Sequence, residues 1–97
     1  MRRAARVDAN HSEICKAFRA LGFAVADTSK MGGGFPDAII SKANKTALTE
    51  FKYWKNIPSK RRLNDLQQKF RAAWKGTYLV VESLNDVEYF SREWERI

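Results

Sequence analysis

Apolar residues recur at helical spacing near the start of the chain. Ile14, Ala17, Phe18 and Leu21 fall on one face of a helix over residues 10–21. Asn10 followed three residues later by Glu13 is a capping-box pattern, and Gly22 is a stop signal. Phe23-Ala24-Val25-Ala26 then reads as a short strand. Met31-Gly32-Gly33-Gly34 is a flexible loop able to bring backbone close to a ligand. It lacks the GK[ST] ending of a phosphate-binding loop and precedes a strand, which excludes a nucleotide-cofactor role.

The period then changes. Asp37–Ser41 and Thr46–Tyr53 are strand-like and are joined by Lys42-Ala43-Asn44-Lys45, a hairpin. A basic loop with Pro58 follows over residues 56–62. A second helix is predicted over residues 64–75, with Leu66, Phe70, Ala73 and Trp74 inward and Gly76 at its end. Thr77-Tyr78-Leu79-Val80-Val81 is a continuous apolar run, expected to be a strand buried on both faces. A last helix starts near Ser83 or Asn85 and carries Leu84, Val87, Phe90 and Trp94. The order αβββαβα predicts an α/β fold, a mixed four-stranded sheet flanked by helices. The last strand follows a helix, so a crossover can lay it parallel to a neighbour.

Composition narrows the class. Ninety-seven residues make one domain with a modest core. The net charge is +7, and it is unevenly spread. Lys and Arg outnumber acids six to three in residues 1–36 and seven to two in 37–62, but trail five to six in 63–97. A basic face of this kind attracts phosphate backbones. Arg2, Arg3 and Arg6 form a basic arm over residues 1–7 that adds non-specific affinity. No apolar run approaches the roughly 20 residues of a membrane span, and the basic N-terminus lacks the apolar stretch of a secretory signal. Cys15 is the only cysteine and His11 the only histidine. A disulfide framework and a cysteine-rich zinc site are excluded, and the expected compartment is the cytoplasm. Cys15 is expected to be a small buried apolar residue. His11 is expected at the surface, with Cys15 off its face of the helix.

The hairpin holds the candidate chemistry. Side chains alternate along a strand, so Glu50 and Lys52 share a face with Leu48 and Trp54, while Thr49, Phe51 and Tyr53 take the core face. A turn at Ala43-Asn44 sets Asp37 opposite Glu50; a turn at Asn44-Lys45 sets Asp37 opposite Lys52. Either register gathers the three charges on one face, whereas a three-residue loop disperses them. Two adjacent carboxylates suit a hard divalent cation, Mg²⁺ or Mn²⁺. A neighbouring lysine can orient a water or neutralise charge on a phosphate. The bland alternative is a solvated face or an ion pair worth under ~1 kcal/mol.

Pro36-Asp37 followed by Glu50-Phe51-Lys52 resembles the P-D…(D/E)-x-K signature of a large nuclease superfamily. Gly33-Gly34-Phe35-Pro36-Asp37 is similar to the G-x-P-D lead-in of its VRR-NUC family, and Leu63-Asn64-Asp65-Leu66-Gln67 to that family's L-[ST]-P-x-Q helix start. Trp74-Lys75-Gly76 and Leu79-Val80-Val81-Glu82-Ser83 resemble its helix end and final strand. The likeness covers about residues 8–90. Asn64 stands for the usual Ser or Thr and Asp65 for the proline; both suit an N-cap and first turn.

This resemblance implies a restriction-endonuclease-like core and a divalent-metal endonuclease acting on DNA. It implies Asp37 and Glu50 as metal ligands, the Phe51 carbonyl as a further ligand and Lys52 as the catalytic lysine. Stand-alone relatives of this length resemble phage and bacterial enzymes that act as homodimers on branched DNA such as four-way junctions. Gln67 is either the third position of a capping box with Asn64 or a residue that holds Lys52 or the attacking water. Glu13 is either a helix cap or a further metal ligand. Lys30, Lys55, Lys60, Arg61 and Arg62 flank the hairpin, with Tyr53 and Trp54 interleaved, and are the candidate phosphate contacts. Trp94 and Phe90 are candidates for a dimer interface. The competing readings are a non-catalytic nucleic-acid-binding module of the same fold and a small protein-interaction subunit.

Overall fold

The structure is a computed structural model that describes residues 9–97; the basic arm over residues 1–7 lies outside the described residues. A four-stranded sheet, ordered β1-β2-β3-β4 in space as in sequence, forms its centre. The strands are β1 (Ala24–Asp27), β2 (Ala38–Lys42), β3 (Lys45–Phe51) and β4 (Thr77–Val81). The first three run antiparallel, and β4 pairs parallel to β3. The crossover between β3 and β4 carries a short helix α2 (Pro58–Arg61), unannounced in the basic loop, and α3 (Asp65–Ala73). Helices α1 (His11–Ala20) and α4 (Leu84–Arg92) flank the sheet, and a 3₁₀ turn follows over Trp94–Arg96.

The hairpin takes the first of its two expected registers. Ala38 pairs with Thr49 and Lys42 with Lys45, so Ala43 and Asn44 form the turn. Both have positive φ, 54° and 63°, the conformation that matches the twist of two antiparallel strands. Because paired residues share a face, Ala38, Ile40, Ala47, Thr49, Leu79 and Val81 point one way. There they meet Ile14, Cys15 and Phe18 of α1 and Val87 of α4 in the main core.

The opposite face carries Ile39, Leu48, Glu50, Tyr78 and Val80. Helix α3 lies over it, but not as periodicity predicts. Leu66 is 56% exposed and Trp74 42%, and no residue of α3 is fully buried. Phe70 reaches an aromatic cluster, edge-on to Phe35 at 5.2 Å and near Tyr78 at 6.4 Å, with Trp74 stacked on it at 5.9 Å. The inward stripe is a weak guide here because a helix over a polar site meets few apolar partners. Likewise β4 is fully buried only on its core face, at Leu79 and Val81; Tyr78 and Val80 are half-buried.

Four further expectations are corrected. Trp94 belongs to the core and not to an exposed interface: it is 5% exposed, lies edge-on to Phe23 at 4.9 Å and donates its indole N–H to the Lys42 carbonyl at 2.8 Å. Phe90 packs half-buried against the same core. The capping box at the start of α1 does not form; Asn10 instead donates Nδ2 to the Glu82 carbonyl at 2.9 Å. His11 is buried: its Nε2 lies 3.0 Å from the Asp27 carboxylate on β1, while its Nδ1 has no hydrogen-bond partner among the described residues. One helical turn brings Cys15 Sγ to 3.8 Å from the same nitrogen, so the two do share a face.

Candidate active site

Three strand ends converge at one end of the sheet. Asp37 immediately precedes β2, Phe51 closes β3, and Val81 closes β4 beside it. The first acid is fixed through backbone: Asp37 Oδ2 accepts the Phe51 N–H at 2.8 Å, and the Asp37 carbonyl accepts the Thr28 N–H at 2.8 Å. One carboxylate oxygen is thereby held while the residue stays half-exposed.

Glu50 and Lys52 occupy the same face, as alternation requires, but not a solvated surface. Glu50 is 3% exposed and Lys52 9%. Lys52 Nζ lies 3.8 Å from Glu50 Oε2, and the Lys52 N–H donates to the Val81 carbonyl at 2.9 Å. Thr49 and Phe51 are buried on the other face, so the end of β3 is covered on both sides. Taking both charges out of water costs several kcal/mol per ion, recovered only with good pairing and further hydrogen bonds.

Gln67 supplies those bonds. Its Oε1 accepts from Lys52 Nζ at 2.9 Å, and its Nε2 donates to Glu50 Oε2 at 2.7 Å. The same residue completes the capping box of α3: Gln67 N–H donates to Asn64 Oδ1 at 2.9 Å, and Oε1 accepts the Asn64 N–H at 3.0 Å. The two roles open in the sequence are therefore one arrangement. The cap fixes the first turn of α3, and that turn presents the amide to the charged pair. Gly34 permits the approach. Its φ is +84°, and a Cβ there would lie 2.7 Å from the Leu66 carbonyl oxygen.

Tyr78 belongs to this face and was not singled out by the sequence. Burial pushes its hydroxyl up to about 12, the Glu50 and Asp37 carboxylates push in the same direction, and Arg71 opposes them. The Arg71 guanidinium lies over its ring at 5.4 Å. The available signal was alternation along β4, masked by its continuous apolar run.

The remaining candidates are dispersed. Glu13 is exposed on α1 and lines a cleft with Tyr53 and Trp54. Among the described residues, no third Asp, Glu, His or Cys joins Asp37 and Glu50 in a metal-holding group. Lys30 is exposed in the turn after β1, Lys60 and half-buried Arg61 end α2, and Arg62 follows it. Lys55 Nζ lies 5.2 Å from the centre of the Trp54 ring. Among the described residues no helix is long and apolar enough to cross a membrane. No protein-family model, no curated protein and no solved structure matches the chain.

Proposed function

We propose that the protein is a divalent-metal-dependent endonuclease that hydrolyses DNA phosphodiester bonds, with a restriction-endonuclease-like core akin to the VRR-NUC family. The observation that carries this reading is the bridge from Gln67 to both Lys52 and Glu50, on the face opposite the core and beside Asp37. A fold of this size gains no obvious stability from a buried lysine, a buried glutamate and a glutamine. A preorganised charged site explains the expense.

The donor set is oxygen-only: the Asp37 and Glu50 carboxylates, with the Phe51 carbonyl next to Glu50 in sequence. That chemistry fits Mg²⁺ or Mn²⁺. When bound, such an ion would supply Lewis acidity toward a phosphate oxygen and help generate a nucleophilic water. The protein's own contributions follow from position. Phe51 N–H orients the Asp37 carboxylate. Gln67 Oε1 holds the Lys52 ammonium in place, where it neutralises charge developing on the phosphate. Gln67 Nε2 holds Glu50. The basic residues Lys30, Lys55, Lys60, Arg61 and Arg62 contact the phosphate backbone, giving steep salt dependence.

Branched DNA, such as a four-way junction, is the substrate class in this reading, and a homodimer would oppose two sites on paired strands. The exposed Leu66 and Trp74 offer apolar surface for a second copy. The test is cleavage of a labelled four-way junction and a matched linear duplex with Mg²⁺, Mn²⁺ or EDTA. Wild type should cut only with metal, and Lys52→Ala should lose about a hundredfold or more in rate while still binding DNA. Binding without cutting under every metal refutes the enzyme and leaves a nucleic-acid-binding module.

A further inference from the structure

Beyond Lys52 the chain, having left β3 at Phe51, borders a cleft of about 590 Å³, lined in part by Asn10, Glu13, Tyr53, Trp54 and Lys55. We propose that this cleft receives an unpaired nucleobase of the DNA strand whose phosphate lies at the Asp37–Glu50–Lys52 site. The proposal rests on the DNA-binding part of the reading above and assigns the feature by which branched DNA is chosen over duplex.

Four observations converge on it. The volume lies within the range of about 300–1,000 Å³ typical of small-ligand sites. Trp54 is 52% exposed, with Tyr53 edge-on at 6.5 Å and the Lys55 ammonium at its ring. An aromatic face beside a cation is the platform on which bases stack irrespective of sequence. Asn10, 5% exposed, donates Nδ2 to the Glu82 carbonyl, which fixes the orientation of its amide. Its Oδ1 is then a buried acceptor with no partner among the described residues, and such an atom calls for a donor.

The charge pattern selects the ligand. Glu13 on the same lining disfavours a bare phosphate in the cleft. Asn10 Oδ1 and the Glu13 carboxylate together accept hydrogen bonds, and the amino and imino groups of a base donate them. Those groups are free on the Watson–Crick edge only when the base is unpaired. Lys55 is placed for the adjoining backbone phosphate. Trp54 follows Lys52 by two residues, so their Cα atoms lie within about 8 Å. The cleft is thus next to the phosphate site rather than remote from it.

The experiment is equilibrium binding by fluorescence anisotropy in EDTA. The probes are a fluorescein-labelled duplex ending in a single-stranded fork and a blunt duplex of equal length. Wild type should bind the fork about tenfold more tightly, the scale of stacking one base on an aromatic. Trp54→Ala should erase that preference and leave duplex binding within about twofold, and Trp54→Phe should keep most of it. A full preference in Trp54→Ala, or equal weakening on both probes, overturns the proposal. Because EDTA prevents cutting, the two readings fail separately. A Trp54-dependent fork preference without cleavage in Mg²⁺ keeps the cleft and removes the nuclease. Cleavage without a fork preference does the reverse, and no DNA affinity overturns both.

Discussion

Replacing Gln67 with glutamate exchanges one NH₂ group for an oxygen and leaves the shape of the side chain unchanged. The acceptor that serves Lys52 and the α3 cap survives. The donor facing Glu50 at 2.7 Å becomes a second carboxylate oxygen. Two unit charges at that separation repel by about 6 kcal/mol at an effective dielectric of about 20. The pair avoids most of this by keeping one proton, as close carboxylates do. Holding that proton at about pH 7.5, against an ordinary glutamate value near 4.3, costs about 4 kcal/mol. Lys52 offsets part, so the expected loss is about 2–4 kcal/mol out of the roughly 5–15 kcal/mol of a domain.

The sign with pH follows. The folded variant retains a proton that its unfolded chain has released, so its carboxyl pKa is raised on folding. The penalty relative to wild type is then largest near neutrality and shrinks as pH falls, by about 1.4 kcal/mol per unit, vanishing near pH 4. Urea denaturation of both proteins at several pH values measures it. A loss below about 0.5 kcal/mol, or one independent of pH, would refute the placement of the Gln67 amide against Glu50.

Other perturbations probe the supports of the site. Gly34→Ala forces a Cβ against the α3 backbone at a φ of +84°; about 1–3 kcal/mol of stability should be lost, and DNA cleavage should fall with it as α3 is displaced. Trp94→Ala should cost about 3–5 kcal/mol in urea melts while leaving the sedimentation coefficient of the folded protein unchanged, since the side chain is core. Hydrogen bonds from the Ser29 side chain and backbone, with His11 beside them, hold Asp27 down to about 2. This depressed carboxyl adds stability above its unfolded value near 3.9 that is lost as pH falls through about 2. Its side chain is 51% exposed, so the contribution is discounted to under about 1 kcal/mol. Asp27→Asn should shallow the acid limb of the stability curve between about pH 4 and 2, measured by urea midpoints.

Much of the architecture was legible in local pattern. Period-two stretches around Ala43 and Asn44 announced the hairpin, and β4 coincides with its apolar run at Thr77–Val81. Asn64 and Gln67 announced the start of α3, where the capping box forms. The same signal at Asn10 and Glu13 misled, because the Asn10 side chain turns to the Glu82 carbonyl, 72 residues away. Helical spacing also placed Leu66 and Trp74 inward, although the first turn of α3 faces the Glu50–Lys52 pair through the Gln67 amide.

What the sequence determined by itself is what depends on neighbours along the chain: strand alternation, the presence of the hairpin, the start of α3, and the sharing of one face by Glu50 and Lys52. Tertiary structure alone decided which register the hairpin takes, that the Glu50–Lys52 pair is buried, and that one glutamine both caps α3 and binds that pair. It also decided that His11 and Trp94 are interior. The reason is physical. Periodicity sets the direction of a side chain, whereas its burial and its partners depend on segments that folding brings across the sheet.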